Sequence, residues 1–223
     1  MNIEIDKNLF DINPDLKLGM IHYTKITVSE SPQMLKGRLQ LFQEQLFFEL
    51  QDKPVNEQEG IKEWRQVWKQ FGADPNRYRH SAEALMRRVS KENYLQPFHS
   101  AVDLNNFFSL EYQIPVGIYD VHKLKGNVQL QVGDENTGYE GLNGRFNSLK
   151  GILTLHDDQG PFGSPFVDSA RTAVTEHTTE AMEIFFLRPS MQENEAKELL
   201  NAAGQMFTQI HGGDFQSTVI RQS

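Results

Sequence analysis

A change of pattern at Pro115 is the feature that most limits the fold of this chain. Before Pro115, apolar residues recur at helical intervals over 32–51, 61–71, 81–89 and about 99–112. After it, glycine-punctuated segments are typical of short strands at about 116–121, 127–132, 150–156, 172–177 and 181–187. A helical stripe over about 191–210 and a possible closing strand end the pattern. Helices that precede a run of strands predict an α+β protein.

The segment before residue 56 has its own signals. Residues 18–28 are rich in β-branched and aromatic side chains, which predicts a strand, and Ser31 with Pro32 opens a helix. A polar linker follows. We therefore predict an N-terminal strand and helix, residues 1–55, packed on a main domain of residues 56–223.

Two of the helices carry more specific expectations. Trp64 and Trp68 share one helical face, so both indole rings are predicted to be buried. Ser81 is a candidate cap for the next helix. Glu83 and Arg87 within that helix form a favourable i,i+4 pair.

Composition excludes several classes of protein. The 223 residues include no cysteine, which rules out a disulfide scaffold, a thiolate metal site and a cysteine nucleophile. The N-terminus has no secretory signal pattern. The longest uninterrupted aliphatic or aromatic run is four residues, whereas a membrane span needs about 20. These features predict a soluble cytoplasmic protein without a membrane partner.

Common cofactor and hydrolase motifs are also missing. The sequence has no P-loop, no Gly-x-Gly-x-x-Gly, no His-Glu-x-x-His and no Gly-x-Ser-x-Gly. His156-Asp157-Asp158 lacks a second histidine at ligand spacing, and we interpret it as a strand end with solvated acids. No metal and no other cofactor are predicted.

Charge is distributed unevenly along the chain. The net charge is −8, yet residues 62–91 hold 8 basic and 3 acidic residues, a net of +5. Such a face can bind phosphates of RNA, and we expect Arg79, Arg87 and Arg88 to make those contacts. The alternative is a solvated helix pair whose arginines bind neighbouring acids.

Several strings resemble one known family when they are taken in order. They are Tyr78-Arg79-His80-Ser81, Val102-Asp103-Leu104-Asn105-Asn106, Ile114-Pro115-Val116-Gly117, Leu155-His156-Asp157-Asp158 and Ala173-Val174-Thr175-Glu176. Together they resemble the tRNA-binding and editing domain of the phenylalanyl-tRNA synthetase beta subunit, and more closely its free-standing bacterial copies. The resemblance covers roughly residues 60–215.

This resemblance implies a fold and an activity. The fold is a three-layer α+β domain with a mixed β core and flanking helices. The activity is hydrolysis of an amino acid wrongly esterified to tRNA, which needs a positioned water and a stabilised oxyanion but no enzyme nucleophile. The implied partner is tRNA or aminoacyl-tRNA, bound with modest affinity, with no role for DNA.

The family's polar pair aligns with Asn105 and Asn106, which the resemblance implies are catalytic. Their amides can donate to a carbonyl oxygen or hold a water. The alternative is that both amides bind neighbouring backbone.

The resemblance also implies a substrate pocket. It aligns Gly117 with the pocket histidine of the synthetase, and Asp120 with the aspartate that follows the family's proline, which aligns with Pro115. Asp103, Thr175 and His177 complete the predicted pocket, with Thr175 and His177 on one face of a strand. The synthetase glutamate that reads the tyrosine hydroxyl aligns near Ser169 or Ala170, so tyrosine is not the expected amino acid.

Three hypotheses follow. The first is an aminoacyl-tRNA deacylase acting in trans. The second is a non-catalytic RNA- or amino-acid-binding module on the same fold, favoured by the missing histidine and glutamate. The third is an interaction protein that uses the helix over 32–51.

Overall fold

This computed structural model describes residues 2–222 of the chain. They contain ten strands and six α-helices, joined by loops and short turns. The helices are α1 Lys7–Ile12, α2 Gln33–Asp52, α3 Glu59–Gln70, α4 Ser81–Val89, α5 Ser100–Tyr112 and α6 Glu193–His211. The strands are β1 Ile3–Ile5, β2 Leu18–Thr24, β3 Val116–Asp120, β4 Val128–Val132, β5 Gly138–Glu140, β6 Phe146–Ser148, β7 Leu153–Asp157, β8 Gly160–Gly163, β9 Glu180–Phe186 and β10 Asp214–Ile220. The predicted α+β class is confirmed.

The strands form two large sheets and one small hairpin. The central sheet is antiparallel throughout, in the order β10-β2-β9-β3. The second sheet has the order β1-β4-β7-β8 and is mixed, because β1 pairs with β4 in parallel. Strands β5 and β6 pair only with each other. Three strands of these sheets, β1, β2 and β10, come from outside the segment 116–188 in which the sequence predicts the β core.

Aromatic contacts show how the layers stack. On one face of the central sheet, Tyr23 stacks on Phe207 of α6 with ring centroids 4.0 Å apart. On the opposite face, Tyr119 of β3 meets Phe162 of β8 edge-on at 5.0 Å. Helices, central sheet and second sheet therefore form three successive layers, as the resemblance implies.

The helical periodicity of α3 correctly predicts burial. Trp64 and Trp68 are both fully buried. Each indole also satisfies its N–H group, since Trp64 donates to the carbonyl of Phe186 at 2.9 Å and Trp68 donates to that of Tyr78. The apolar spacing of α3 thus attaches the helical layer to the end of β9.

Two details of the predicted elements are wrong. Residues 172–177 form no strand, because hydroxyl groups there bind local backbone: Thr178 Oγ1 accepts from the N–H of Thr175 at 2.9 Å. A preceding turn, Ala170–Thr172, is held by Ser169 Oγ, which accepts from the N–H of Arg171. At α4 the capping side chain is His80, one residue before Ser81, and its Nδ1 accepts from the N–H of Glu83.

Residues 1–55 do not lie apart from the rest of the chain. Strand β2 is bonded along its whole length to β9 on one side and to β10 on the other. Its register places His22 opposite Met182 and Gln216. The division into residues 1–55 and 56–223 stays a prediction, and the central sheet contains strands from both parts.

Candidate functional site

The two asparagines predicted to be catalytic lie on different sides of α5. Asn105 is buried, and its Nδ2 donates to the carbonyl of Val116 at 3.1 Å. Its Oδ1 is buried without a hydrogen-bond partner among residues 2–222. Asn106 instead lines a narrow groove between α2 and α5, together with Asp103. The pair therefore does not converge on one substrate position.

Asp103 acts as a local anchor in this structure. Its Oδ1 accepts from the N–H of Phe98 at 3.0 Å, and its Oδ2 accepts from the hydroxyl of Ser31. These bonds connect the segment before α2 to the start of α5. Both carboxylate oxygens of Asp103 are thus already engaged.

The space above Gly117 is filled by the chain itself. A Cβ atom on Gly117 would lie 2.1 Å from the hydroxyl of Tyr119 and 3.0 Å from Asp168 Oδ2. Glycine at this position therefore permits the close approach of the phenol. The sequence associates Gly117 with an open pocket, whereas the structure shows a packed side chain there.

The other predicted pocket residues lie near Asp120 but on a loop. Asp120 is buried, and its Oδ2 accepts from Thr178 Oγ1 at 2.7 Å. Thr175 and His177 are exposed, and Thr175 Oγ1 accepts from the N–H of His177 at 3.3 Å. The prediction that Thr175 and His177 share a strand face is wrong. Their role in substrate binding stays a prediction.

Sequence reasoning missed a hydrogen-bonded cluster beside Gly117, which we call the Asp168 cluster: Tyr119, Tyr139, Ser164 and Asp168. Tyr119 donates to Asp168 Oδ1 at 2.7 Å, and Tyr139 donates to Ser164 Oγ at 3.1 Å. Burial raises the pKa of Asp168 to about 7, although the hydrogen bonds from Tyr119 and from the N–H of Ser164 favour its charged form. Burial and the nearby Asp168 also raise the pKa of Tyr119.

A signal for this cluster exists in the sequence. Asp168 lies one residue before the position at which the resemblance places the missing glutamate. No local pattern, however, connects it to Tyr119, which is 49 residues away.

A second feature that the sequence did not predict is a groove on the central sheet. The groove has a volume of about 510 Å³. We call it the His22 groove, and it is lined by Ile3, Met20, His22, Val121, Glu180, Met182, Gln216, Ser217 and Thr218. Four of the lining side chains are apolar and five are polar, and polar groups on an otherwise apolar wall can fix the orientation of a small molecule.

The polar centre of this groove is a histidine–carboxylate pair. His22 Nε2 lies 2.6 Å from Glu180 Oε1, and both side chains keep about one third of their surface exposed. His122 Nε2 lies 3.9 Å from the other oxygen of Glu180. A carboxylate that holds one ring nitrogen fixes the tautomer of the imidazole and leaves the other nitrogen able to accept a proton.

The cationic segment divides into paired and free arginines. Glu83 is fully buried. Its Oε1 accepts hydrogen bonds from Arg65 Nη1 at 3.0 Å and from Arg87 Nε at 2.9 Å. The predicted Glu83–Arg87 pair is confirmed. Arg79 and Arg88 are exposed, and neither makes an ion pair within residues 2–222. Phosphate binding by Arg79, Arg87 and Arg88 stays a prediction, and the structure leaves two of the three unengaged.

Other site types find no support in the described part of the chain. Residues 2–222 contain no group of three or more histidine, aspartate or glutamate side chains arranged to hold a metal ion. None of the helices there is long and apolar enough to cross a membrane.

Comparison with known proteins identifies the relatives. The B3/4 domain family matches residues 63–210. An uncharacterized protein of Bacillus subtilis, YhzB, is 33% identical over 213 residues, which are 96% of each chain. The phenylalanine–tRNA ligase beta subunit of Paramagnetospirillum magneticum is 30% identical over 88 residues, which are 39% of this chain but 11% of the ligase subunit.

An N-terminal fragment of the phenylalanyl-tRNA synthetase beta subunit from Pyrococcus horikoshii superimposes with a TM-score of 0.46 at 13% identity, covering 99% of this chain and 54% of the fragment. Six of the nine groove residues lie outside the segment that the family match covers: Ile3, Met20, His22, Gln216, Ser217 and Thr218.

Proposed function

Since the chain belongs to the B3/4 domain family, we propose that it hydrolyses a mischarged aminoacyl ester on tRNA in trans. Two observations on relatives support this proposal. The match with YhzB covers 96% of both chains, so this arrangement makes up nearly all of another protein. The ligase beta subunits that share the domain are named for tRNA aminoacylation, although the chain spans only 11% of the one from Paramagnetospirillum.

The observation that carries the proposal is the His22–Glu180 pair inside the His22 groove. An ester is already activated, so hydrolysis needs a base for water and donors for the oxyanion. Glu180 Oε1 lies 2.6 Å from His22 Nε2, and in the tautomer that carries its proton on Nε2, Nδ1 is the proton acceptor. A groove of about 510 Å³ is large enough for an aminoacyl group on a ribose.

The proposed reaction has two proton-transfer steps. A water gives its proton to His22 Nδ1 while its oxygen bonds to the ester carbonyl carbon. The imidazolium, stabilised by Glu180, then gives the proton to the ribose oxygen as the ester C–O bond breaks. The products are the free amino acid and the tRNA with its terminal hydroxyl restored. Gln216 and Thr218 line the groove and can donate to the oxyanion.

The test is release of amino acid from tRNAs charged with each amino acid in turn. We expect turnover of at least one, with tyrosine not preferred. His22→Gln should lower the rate by about 10²–10⁴-fold, the usual contribution of a general base. Lys150→Gln is the control, because Lys150 is an exposed residue that lines neither groove, and it should keep the wild-type rate. If His22→Gln turns over at the wild-type rate, the His22 groove is excluded as the site of the reaction.

The same assay tests the asparagines that the resemblance implies. If Asn106→Ala lowers the deacylation rate by about 10²–10³-fold while His22→Gln stays fully active, the reaction takes place in the groove between α2 and α5.

A second function is favoured by a specific observation at Gly117. The phenol of Tyr119 fills the space there, and the amide of Asn105 is engaged by Val116. Both facts support a module that binds RNA or an amino-acid-like ligand without turnover. Binding of tRNA combined with no deacylation of any charged tRNA would select this alternative.

A further inference from the structure

Helix α2 exposes three large apolar side chains to solvent at intervals of seven residues. Met34, Leu41 and Phe48 are 66%, 66% and 68% exposed. Seven residues are close to two helical turns, so the three side chains form one continuous row, which we call the α2 stripe. The opposite side of α2 is buried through Leu35, Leu46 and Leu50.

The α2 stripe is symmetric about its centre. Leu41 lies seven residues from both ends of the row, which is about 10 Å along the helix axis. If two copies of α2 pack antiparallel with Leu41 at the crossing point, Leu41 meets Leu41 of the second copy. Met34 then meets Phe48 of the second copy. Such matching of a patch with itself is what a two-fold interface requires.

Charge on α2 favours the same orientation. Near the stripe, the N-terminal half carries exposed Arg38, and the C-terminal half carries Glu44, Glu49 and Asp52. Lys36 lies on the other side of the helix, where it pairs with Glu30. Antiparallel pairing places each basic half against an acidic half. Parallel pairing would place like charges together, which is unfavourable.

Gly37 is consistent with a close helix contact at this face. It lies one turn before Leu41, it is exposed, and a Cβ atom there would meet nothing within 4 Å. Glycine inside a helix costs about 1 kcal/mol relative to alanine, and nothing within residues 2–222 requires it at this position. A missing side chain beside Leu41 lets a second helix approach the backbone.

We propose that α2 is the interface of a homodimer, in which two copies of this chain pack antiparallel about a two-fold axis at Leu41. The stripe supplies the buried apolar centre of the interface, and the charges on either side supply its polar rim. The His22 groove shares no residue with the stripe, so the dimer and the deacylation proposal stand independently.

The absence of cysteine makes the register directly testable by crosslinking. Leu41→Cys should form a disulfide-linked dimer under mild oxidation, because the axis brings the two positions together. Met34→Cys alone should not, since its two copies would lie about 20 Å apart along the axis. Met34→Cys with Phe48→Cys in one chain should link again.

Parallel pairing would give the opposite result for Met34→Cys, which would then link to itself as readily as Leu41→Cys. Lys25→Cys, an exposed position outside α2, is the control for collision between molecules and should not link. Equal linking of Lys25→Cys and Leu41→Cys would overturn the proposal.

Sedimentation of the cysteine-free protein provides a second measurement. The wild type should be a dimer, and Arg38→Glu should weaken it by about tenfold or more, because acidic halves then face each other. Adding Glu49→Arg should restore the affinity. Leu142→Glu removes another exposed apolar residue, 57% exposed and outside α2, and should leave the dimer intact. A monomeric wild type, or a dimer insensitive to both Arg38→Glu and Leu41→Glu, would overturn the proposal.

Discussion

Tyr119 donates its phenolic hydroxyl to Asp168 Oδ1 across 2.7 Å, and this bond holds the ring over Gly117. The arrangement closes the place where the resemblance predicts an open pocket. It does so with a residue of β3 and a residue of the loop after β8. The packing of these two side chains therefore decides how much space the central sheet offers at β3.

We expect Gly117→Ala to destabilise the fold by about 1–3 kcal/mol, as overpacking of a tight core does. The new methyl group would lie 2.1 Å from the Tyr119 hydroxyl, so the ring must move. The measurement is the free energy of unfolding in urea. In a Tyr119→Ala background the ring is absent, and the same Gly117→Ala change should cost much less. Equal costs in both backgrounds would contradict the close contact.

Two buried carboxyl groups should make stability fall as pH rises from about 4 to about 8. Burial raises the pKa of Asp168 to about 7 and that of Glu183 to about 8. Ordinary values are near 4, so between pH 4 and these values the folded state holds protons that the unfolded state has released. The free energy of unfolding therefore decreases with rising pH until both groups ionise.

Two buried histidines act in the opposite direction at lower pH. Burial lowers the pKa of His80 and of His211 to about 4. Their contribution to stability is present above the ordinary value of 6.5 and is lost as pH falls towards 4. The two effects oppose each other below pH 6.5, so the carboxyl effect should be visible alone from pH 6.5 to 8.

The measurement is urea unfolding across this window, with Glu183→Gln as the diagnostic variant. The wild type should lose on the order of 1–2 kcal/mol between pH 6.5 and 8. Gln keeps an acceptor for the hydroxyl of Tyr23, which bonds Glu183 at 2.7 Å, but cannot ionise. The variant should show a flatter profile, and an unchanged slope would exclude Glu183 as the source.

The sequence predicts those parts of the fold that depend on local spacing. The positions of Trp64 and Trp68 follow from the 3.6-residue period, and both are buried as expected. The threonines after Thr172 suggested a strand through their β-propensity, but their hydroxyls bind the local backbone instead. The strand predicted from β-propensity is therefore absent where threonine hydroxyls bind backbone N–H groups that a sheet would otherwise use.

The candidate sites could not be predicted because they join distant segments. His22 and Glu180 are 158 residues apart, and they meet only because β2 pairs with β9. The pairing of an N-terminal strand with a late one leaves no trace in either strand alone. Alignment with a family could not locate this pair either, since His22 precedes the matched segment.

Glu83 should be important for stability although it lies in the cationic segment. Its buried carboxylate holds Arg65 and Arg87 from two helices. Glu83→Ala leaves Arg65 without its acidic partner and should cost about 2–4 kcal/mol, somewhat less than a fully buried pair because both arginines are partly exposed. Lys150→Ala is the control, since it removes an exposed pair with Glu135 and should have no measurable effect on thermal unfolding.

Arg79 and Arg88 should contribute to tRNA affinity more than Arg87 does. Arg87 already binds buried Glu83, whereas Arg79 and Arg88 are exposed and carry no ion pair within residues 2–222. Each phosphate contact contributes about 0.7–0.9 to the slope of log affinity against log salt. The double variant Arg79→Ala, Arg88→Ala should therefore bind tRNA more weakly and lose about 1.4–1.8 of that slope.

Two comparisons decide this prediction. Arg87→Ala should lower the unfolding free energy while it leaves the salt slope close to that of the wild type, because its guanidinium is held at 2.8 Å from Glu83. Lys7→Ala with Lys25→Ala removes the same amount of charge outside residues 62–91 and should change neither affinity nor slope. Fluorescence anisotropy with labelled tRNA at several salt concentrations measures all three variants. A slope lost equally in the lysine control would mean that net charge alone, with no defined cationic face, attracts the RNA.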